Sequence, residues 1–350
     1  MPRKFDSRYL SLALTSSFLI ALAAGSRSFA ADEPKALPDH PTFGRIERLD
    51  PRFDDLIPKE AKLEKLAQGF AWSEGPVWNR KEGYLLFSDI PRNRAMQWKD
   101  DSLRVFLEPS GYTGKTPRGG EVGSNALTYD HQGRLVLCQH GDRRVVRLEK
   151  DGSFTVIADK YLGKRLSSPN DLCYKSNGDL YFTDPPYGLE KNWDDPAREL
   201  DFCGVFRVAP DGKIDLMTKE LARPNGICFS PDEKILYVGT SDPQQPIWKA
   251  YEVKADGTLG PGRVFFDSSE WVKLKQPGLP DGMKCDRNGN LFATGPGGLH
   301  VFSPDGKHLG RIDTGERTAN CNWGDDGSTL YIAANMYLCR IKTSTKGNGW

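Results

Sequence analysis

The chain has 350 residues, with 48 Lys+Arg against 47 Asp+Glu and a formal net charge of +1. That balance leaves no basic excess for nucleic acid or an anionic membrane. Thirty-six glycines and 24 prolines, without any long helical periodicity, exclude a helical bundle and indicate a turn-rich all-β chain.

Residues 1–30 read as a secretory signal peptide. Arg3, Lys4 and Arg8 give a positive start, the run 10–24 is mostly apolar, and Ser28-Phe29-Ala30 is a small-x-small ending before Ala31. The apolar run is too short, and too broken by Ser and Thr, for a membrane span. The expectation is an exported protein, periplasmic or secreted after cleavage near Ala30, whose mature chain needs no membrane. Export permits disulfides, but the seven cysteines are scattered, form no CxxC pair and mostly lie in apolar runs. They read as small buried hydrophobes.

Residues 31–62 contain Pro34, Pro38, Pro41, Pro51 and Pro58 and little periodicity, as expected of an extended N-terminal arm. From 63 to 345 one pattern recurs. Four apolar strands end in Asp-Gly turns, at Asp151-Gly152, Asp211-Gly212, Asp256-Gly257 and Asp305-Gly306, and a fifth turns at Asp100-Asp101. Asp-Gly favours the positive φ angles of a two-residue hairpin, so each is read as the outer half of a four-stranded unit. Between these hairpins, a polar anchor precedes an apolar or aromatic residue, a turn and a β segment. The anchors are Glu74, Asn125, Asn170, Asn225 and Asp281, with a degenerate sixth near Ala319-Asn320. The answering β segments are 84–87, 134–137, 179–182, 235–238, 290–293 and 329–332. Six all-β units of this length predict a six-bladed β-propeller with four-stranded blades. The sixth unit lacks an outer hairpin, and 63–68 can supply its missing strand. Closing the ring with an N-terminal strand removes an exposed edge.

Innermost propeller strands line a central channel, so anchors at equivalent places reach its mouth together. Two carboxylates and three amides then face one axis. Hard oxygen ligands of low total charge suit Ca²⁺; Zn²⁺ or Cu²⁺ would want imidazole or thiolate. Two carboxylates at one site also repel without a cation. The competing reading is that Asn-Gly, Asn-Asp and Asp-Gly are only turn formers, and five in register, one of them a Glu, weigh against it. Further candidates for contacting a substrate are His140, Asp184, Arg118 and Glu121. His140 ends an apolar strand and reads equally as a substrate-facing, proton-handling or structural histidine. Asp184, with Tyr187, follows a strand on the same side. Arg118 and Glu121 sit in a Gly-rich loop able to overhang the site. Gly114-Lys115-Thr116 is not a phosphate loop, because Pro109 stands where a glycine is required and no helix follows.

Several segments together carry a family resemblance: SEGPVW at 73–78, SPNDL at 168–172, RPNGICFSPDEKILYV at 223–238, LPDGMKCDRNGNLFATGPGGLHVFSPDG at 279–306 and NWGDDGSTLYI at 322–332. The sequence resembles the SMP-30/gluconolactonase/luciferin-regenerating family of six-bladed propellers, and within it the bacterial gluconolactonase-like branch. That resemblance implies a hydrolase that opens a sugar lactone around one divalent ion, often Ca²⁺. It implies Glu74, Asn225 and Asp281 as metal ligands and Asp281 as general base. It places Asn170 as a further ligand or a substrate-facing amide; Asn125, from its place in the ring of anchors, is a further substrate-binding candidate. Two other readings stay open at this point: a hydrolase of another lactone or of a phosphorus ester, and a non-catalytic binding propeller with structural calcium.

Overall fold

The computed structural model of the chain describes residues 33–350; the expected leader at 1–30 lies outside the described residues. The repeat forms six antiparallel blades around a ring. Blade 1 runs through Ser73–Asn79, Tyr84–Asp89, Arg94–Lys99 and Ser102–Leu107. Blades 2, 3 and 4 begin with Ser124–Tyr129, Leu172–Tyr174 and Pro224–Phe229 and also have four strands each. Blade 5 starts with Met283–Cys285 and blade 6 with Thr318–Gly324. Among the described residues no helix is long and apolar enough to cross a membrane.

The turns do what their residues dictate. In blade 1, Asp100 and Asp101 take φ of 48° and 56° between the paired residues Lys99 and Ser102. The short Asp side chain tolerates that region without a glycine. The second strands extend further than their apolar runs suggest. They end at Asp89, Gln139, Asp184, Thr240, Gly295 and Ala334, because the third strand pairs with their polar ends, as Arg94 does with Asp89 and Gly204 with Asp184.

In blades 1, 3 and 5, the residue before the end of the second strand locks the blade to the next one. Ser88 Oγ donates to the carbonyl of Asn125 at 2.7 Å, Thr183 Oγ1 to that of Asn225 at 2.7 Å, and Thr294 Oγ1 to that of Ala319 at 2.8 Å. The same contact made three times puts Ala319 in register with the polar anchors. Between blades, aromatic and branched side chains fill the wedge. Trp248, Trp323, Tyr181, Phe206 and Phe302 are fully buried, and Trp78 of blade 1 stacks on Tyr331 of blade 6 with ring centres 5.6 Å apart. The seven cysteines are free thiols, six of them buried.

The ring closes as the missing strand requires. Leu63–Gln68 pairs antiparallel with Tyr337–Lys342, and Arg340 Nε lies 2.7 Å from Glu64 Oε2. Lys35–Ala36 and Thr42–Phe43 pair with Leu63–Gln68, while Arg45–Arg48 adds a fifth strand to blade 5 along His308–Asp313. These strands have two to four residues, too few to leave a periodic signal. Leu66 is fully buried in the seam. Leu66→Ala is expected to cost about 2–5 kcal/mol and to lower the thermal transition, without changing affinity for ligands in the channel.

Candidate active site at the mouth of the central channel

A cavity of about 760 Å³ opens at one end of the channel, and all five polar anchors line it: Glu74, Asn125, Asn170, Asn225 and Asp281. Each is the second residue of an innermost strand or lies two residues ahead of one. A backbone irregularity follows in blades 1 and 4, where pairing skips from Glu74 to Val77 and from Pro224 to Ile227. Such bulges re-aim side chains next to functional sites.

The electrostatics of the anchors are unbalanced. Burial, and then the charge of Asp171, push the Glu74 carboxyl well above the ordinary range. Asp281 is likewise pushed well above its ordinary range, first by burial and then by Glu74, Asp171 and Glu121. Asp281 keeps some exposed area because it borders the cavity, yet protein surrounds it closely enough for desolvation to dominate. The amides show the complementary sign. The Oδ1 atoms of Asn125, Asn170 and Asn225 are buried without a hydrogen-bond partner. Asn225 Nδ2 donates to Ser241 Oγ at 2.8 Å, so its oxygen is the end left over. Asn170 Nδ2 lies 3.5 Å from His140 Nε2, again leaving the oxygen free.

Two repelling carboxylates and three orphaned amide oxygens at one cavity fit a hard divalent cation, which needs several oxygen donors and compensates the charge. Among the described residues no group of three or more His, Cys, Asp and Glu is placed to hold a metal. A site here is therefore built on amides as much as on carboxylates.

The floor of the site is a second layer, one residue further along the same strands. Asn320 Nδ2 is 3.1 Å from Glu74 Oε2 and 3.5 Å from Asp171 Oδ2. The Cys321 backbone N–H fixes the other end of that amide by donating to Asn320 Oδ1 at 2.9 Å. Gly282 makes room for it, since a Cβ there would lie 2.0 Å from the Asn320 amide carbon. Below sits Lys284, whose charge offsets Asp171 and whose Nζ donates to the Met283 carbonyl at 3.0 Å. Asp171 and Lys284 escaped the sequence reading and Asn320 entered it only as part of the degenerate sixth anchor, although the same register carried one residue past each anchor reaches both Asp171 and Asn320. Ser241 and Arg223, both at the cavity, had no such signal.

Of the other substrate candidates, only Glu121 reaches the cavity, where Tyr187 also lies. Arg118 is turned away: its Nη2 donates to the carbonyls of Gly141 and Gly188, both at 3.0 Å, and its guanidinium lies over Tyr112. His140 is fully buried behind Asn170. Asp184 is fully buried too and accepts the backbone N–H groups of Ser167 and Ser168, each at 2.8 Å. It is a structural anchor for the segment leading into Asn170, not a substrate contact. A strand's polar end looks the same in sequence whether it meets solvent or a neighbouring loop. Asp184→Ala would leave two buried N–H groups unpaired and is expected to cost about 2–4 kcal/mol, read as a lowered thermal transition.

A family profile described as SMP-30/gluconolactonase/LRE-like region matches residues 72–335. The chain belongs to this family. The match starts just before the first anchor and ends in blade 6, so it spans every residue of the site. Within the family, the chain is 40% identical to a gluconolactonase of Zymomonas mobilis, over 87% of this chain and 88% of that one. It is 28% identical to a pentonolactonase of Haloferax volcanii, over 74% and 80% of the two chains. A solved gluconolactonase structure from Xanthomonas campestris superposes with a TM-score of 0.75 at 30% identity, covering 89% of this chain and 98% of that one.

Proposed function

We propose that the protein is a lactonase, opening a sugar lactone of the aldonolactone type at the channel mouth with the help of one divalent cation, Ca²⁺ by its donor set. The observation that carries this reading is the convergence of Glu74, Asn170, Asn225 and Asp281 on one cavity with their amide oxygens unpartnered. These four would hold the cation. Support for the substrate class comes from the gluconolactonase and pentonolactonase relatives.

The chemistry such a cation supplies when bound is Lewis-acid polarisation of a carbonyl oxygen. The remaining work falls to side chains. Asp281 accepts the proton of the attacking water at its carboxylate. Burial, and then Glu74 and Asp171, disfavour its charge, so it would be the ionised acceptor this step needs once a cation compensates those charges. Ring opening releases an alkoxide that takes up a proton, giving the hydroxy acid from lactone plus water. The Tyr187 phenol borders the cavity and stays protonated, because burial raises it far above its ordinary value; it can donate a hydrogen bond to that oxygen. Asn125 offers an unpaired amide oxygen to a sugar hydroxyl.

The test is acid release from glucono-δ-lactone, other aldonolactones and an organophosphate ester, with Ca²⁺ and after chelation. Cation-dependent turnover of an aldonolactone is expected. Turnover of the phosphorus ester alone, or none on any substrate while Ca²⁺ stays bound, would replace this reading.

A further inference from the structure

The geometry points to His140, with the Glu121 carboxylate beside its ring, as the positioning residue that turns the Asn170 amide so that its carbonyl oxygen, not its NH₂ group, faces the cation site. This rests on the cation reading above but concerns residues to which that reading gives no part.

An asparagine amide has two nearly isosteric orientations, and its neighbours decide which end points where. Asn170 Oδ1 has no partner and Nδ2 lies 3.5 Å from His140 Nε2. An N–H to N contact requires Nε2 to be the acceptor, which places the imidazole proton on Nδ1. That atom lies 3.4 Å from Glu121 Oε2 without forming a directed hydrogen bond, so the carboxylate acts on it through its negative charge, which favours a proton on the nearer ring nitrogen. Glu121 therefore favours the Nδ1–H tautomer and leaves the Nε2 lone pair for Asn170. In the opposite tautomer, two donors would face each other and the amide would rotate, presenting to a cation a group that cannot ligate it. Both contacts are long, so they act as a bias on orientation more than as a source of stability.

The imidazole cannot drift out of this line. It is fully buried, and Gly188 packs so closely that a Cβ there would lie 2.5 Å from His140 Cβ. Asn225 lacks an equivalent device: Ser241 Oγ accepts from its Nδ2, but a hydroxyl can donate as readily and so dictates neither end. Outer partners that fix ligand orientation are worth about 10–100-fold in metal affinity.

The experiment is a calorimetric Ca²⁺ titration of the chelator-stripped full chain as a double-mutant cycle. His140→Leu is expected to weaken Ca²⁺ binding by about 10–100-fold. His140→Gln, whose Oε1 can accept near the place of Nε2, is expected to retain most of the affinity. In an Asn170→Ala background, His140→Leu is expected to have no further effect. Glu121→Ala gives a second cycle should His140→Leu fail to fold, with a smaller loss that likewise vanishes without Asn170. Equal losses in Leu and Gln variants, or an undiminished loss in the Asn170→Ala background, would reduce His140 to packing and overturn the inference while leaving the cation site standing. No Ca²⁺ binding by the wild type would overturn both.

Discussion

Asp281→Asn is expected to lower kcat for lactone opening by about 10²–10⁴-fold while the propeller stays folded. The two side chains have the same shape, and the amide retains an oxygen able to ligate a cation, so the substitution removes the base and leaves the cavity. It also relaxes a repulsion. Asp281 is held far above its ordinary range by burial, Glu74, Asp171 and Glu121, and a neutral amide carries none of that cost. The metal-free variant is therefore expected to melt no lower than the wild type at neutral pH. Stopped-flow or pH-stat rates, paired with thermal melts, separate the two effects. A variant that turns over at the wild-type rate would remove Asp281 from the reaction. A variant that is inactive because it no longer folds would show that the carboxylate is needed for structure.

Chelation is expected to abolish turnover and to destabilise the protein more at pH 8 than at pH 5. The sign follows from the carboxyl groups. Glu74 is raised in the folded, metal-free state, so the native protein holds a proton that an unfolded glutamate releases above about pH 4.3. Where the folded state binds more protons, stability falls as pH rises, and it keeps falling until the folded group ionises. A divalent cation replaces that proton as the compensating charge. The stabilisation by Ca²⁺ should thus grow with pH, with a melting-temperature gap wider by about 5–10 °C at pH 8 than at pH 5. Asp184, pushed up to about 7 by burial against the lowering effect of the Ser167 and Ser168 N–H groups, lies outside the cavity. It should leave a residual downward slope even with Ca²⁺ present. Melts across this range, with and without chelator, check both slopes; a Ca²⁺ effect independent of pH would show that the cation does not take the place of the Glu74 proton.

The repeat was legible because its signals are local and recur six times. Asp-Gly turns need positive φ wherever they stand, and a polar anchor at or just before the innermost strand keeps its position in five of the six blades. Even the degenerate sixth unit was placed, near Ala319-Asn320, because Trp323 and the β segment at 329–332 follow it as in the other units. The site was legible only in its outer ring. Asp171 and Asn320 stand one residue past an anchor, where the other blades carry Gly75, Ala126, Gly226 and Gly282. Polarity at two positions in six does not look like a pattern until the channel brings them together. His140 read equally as substrate-facing, proton-handling or structural, and Asp184 as substrate-facing; both are fully buried. Which way a polar strand end turns depends on loops such as 185–203, whose path is not written in any periodicity.

The seam between Leu63–Gln68 and Tyr337–Lys342 also has a consequence for how the molecule is made. Among the first segments of the toroid to leave the ribosome is one half of its clasp, and the partner half is among the last, so vectorial synthesis cannot complete the native topology one blade at a time. Five blades must wait with an open flank until Tyr337–Lys342 has been made. The slowest step of assembly is then a single contact of very high sequence separation, of the kind that limits folding speed and leaves a nascent chain exposed to aggregation.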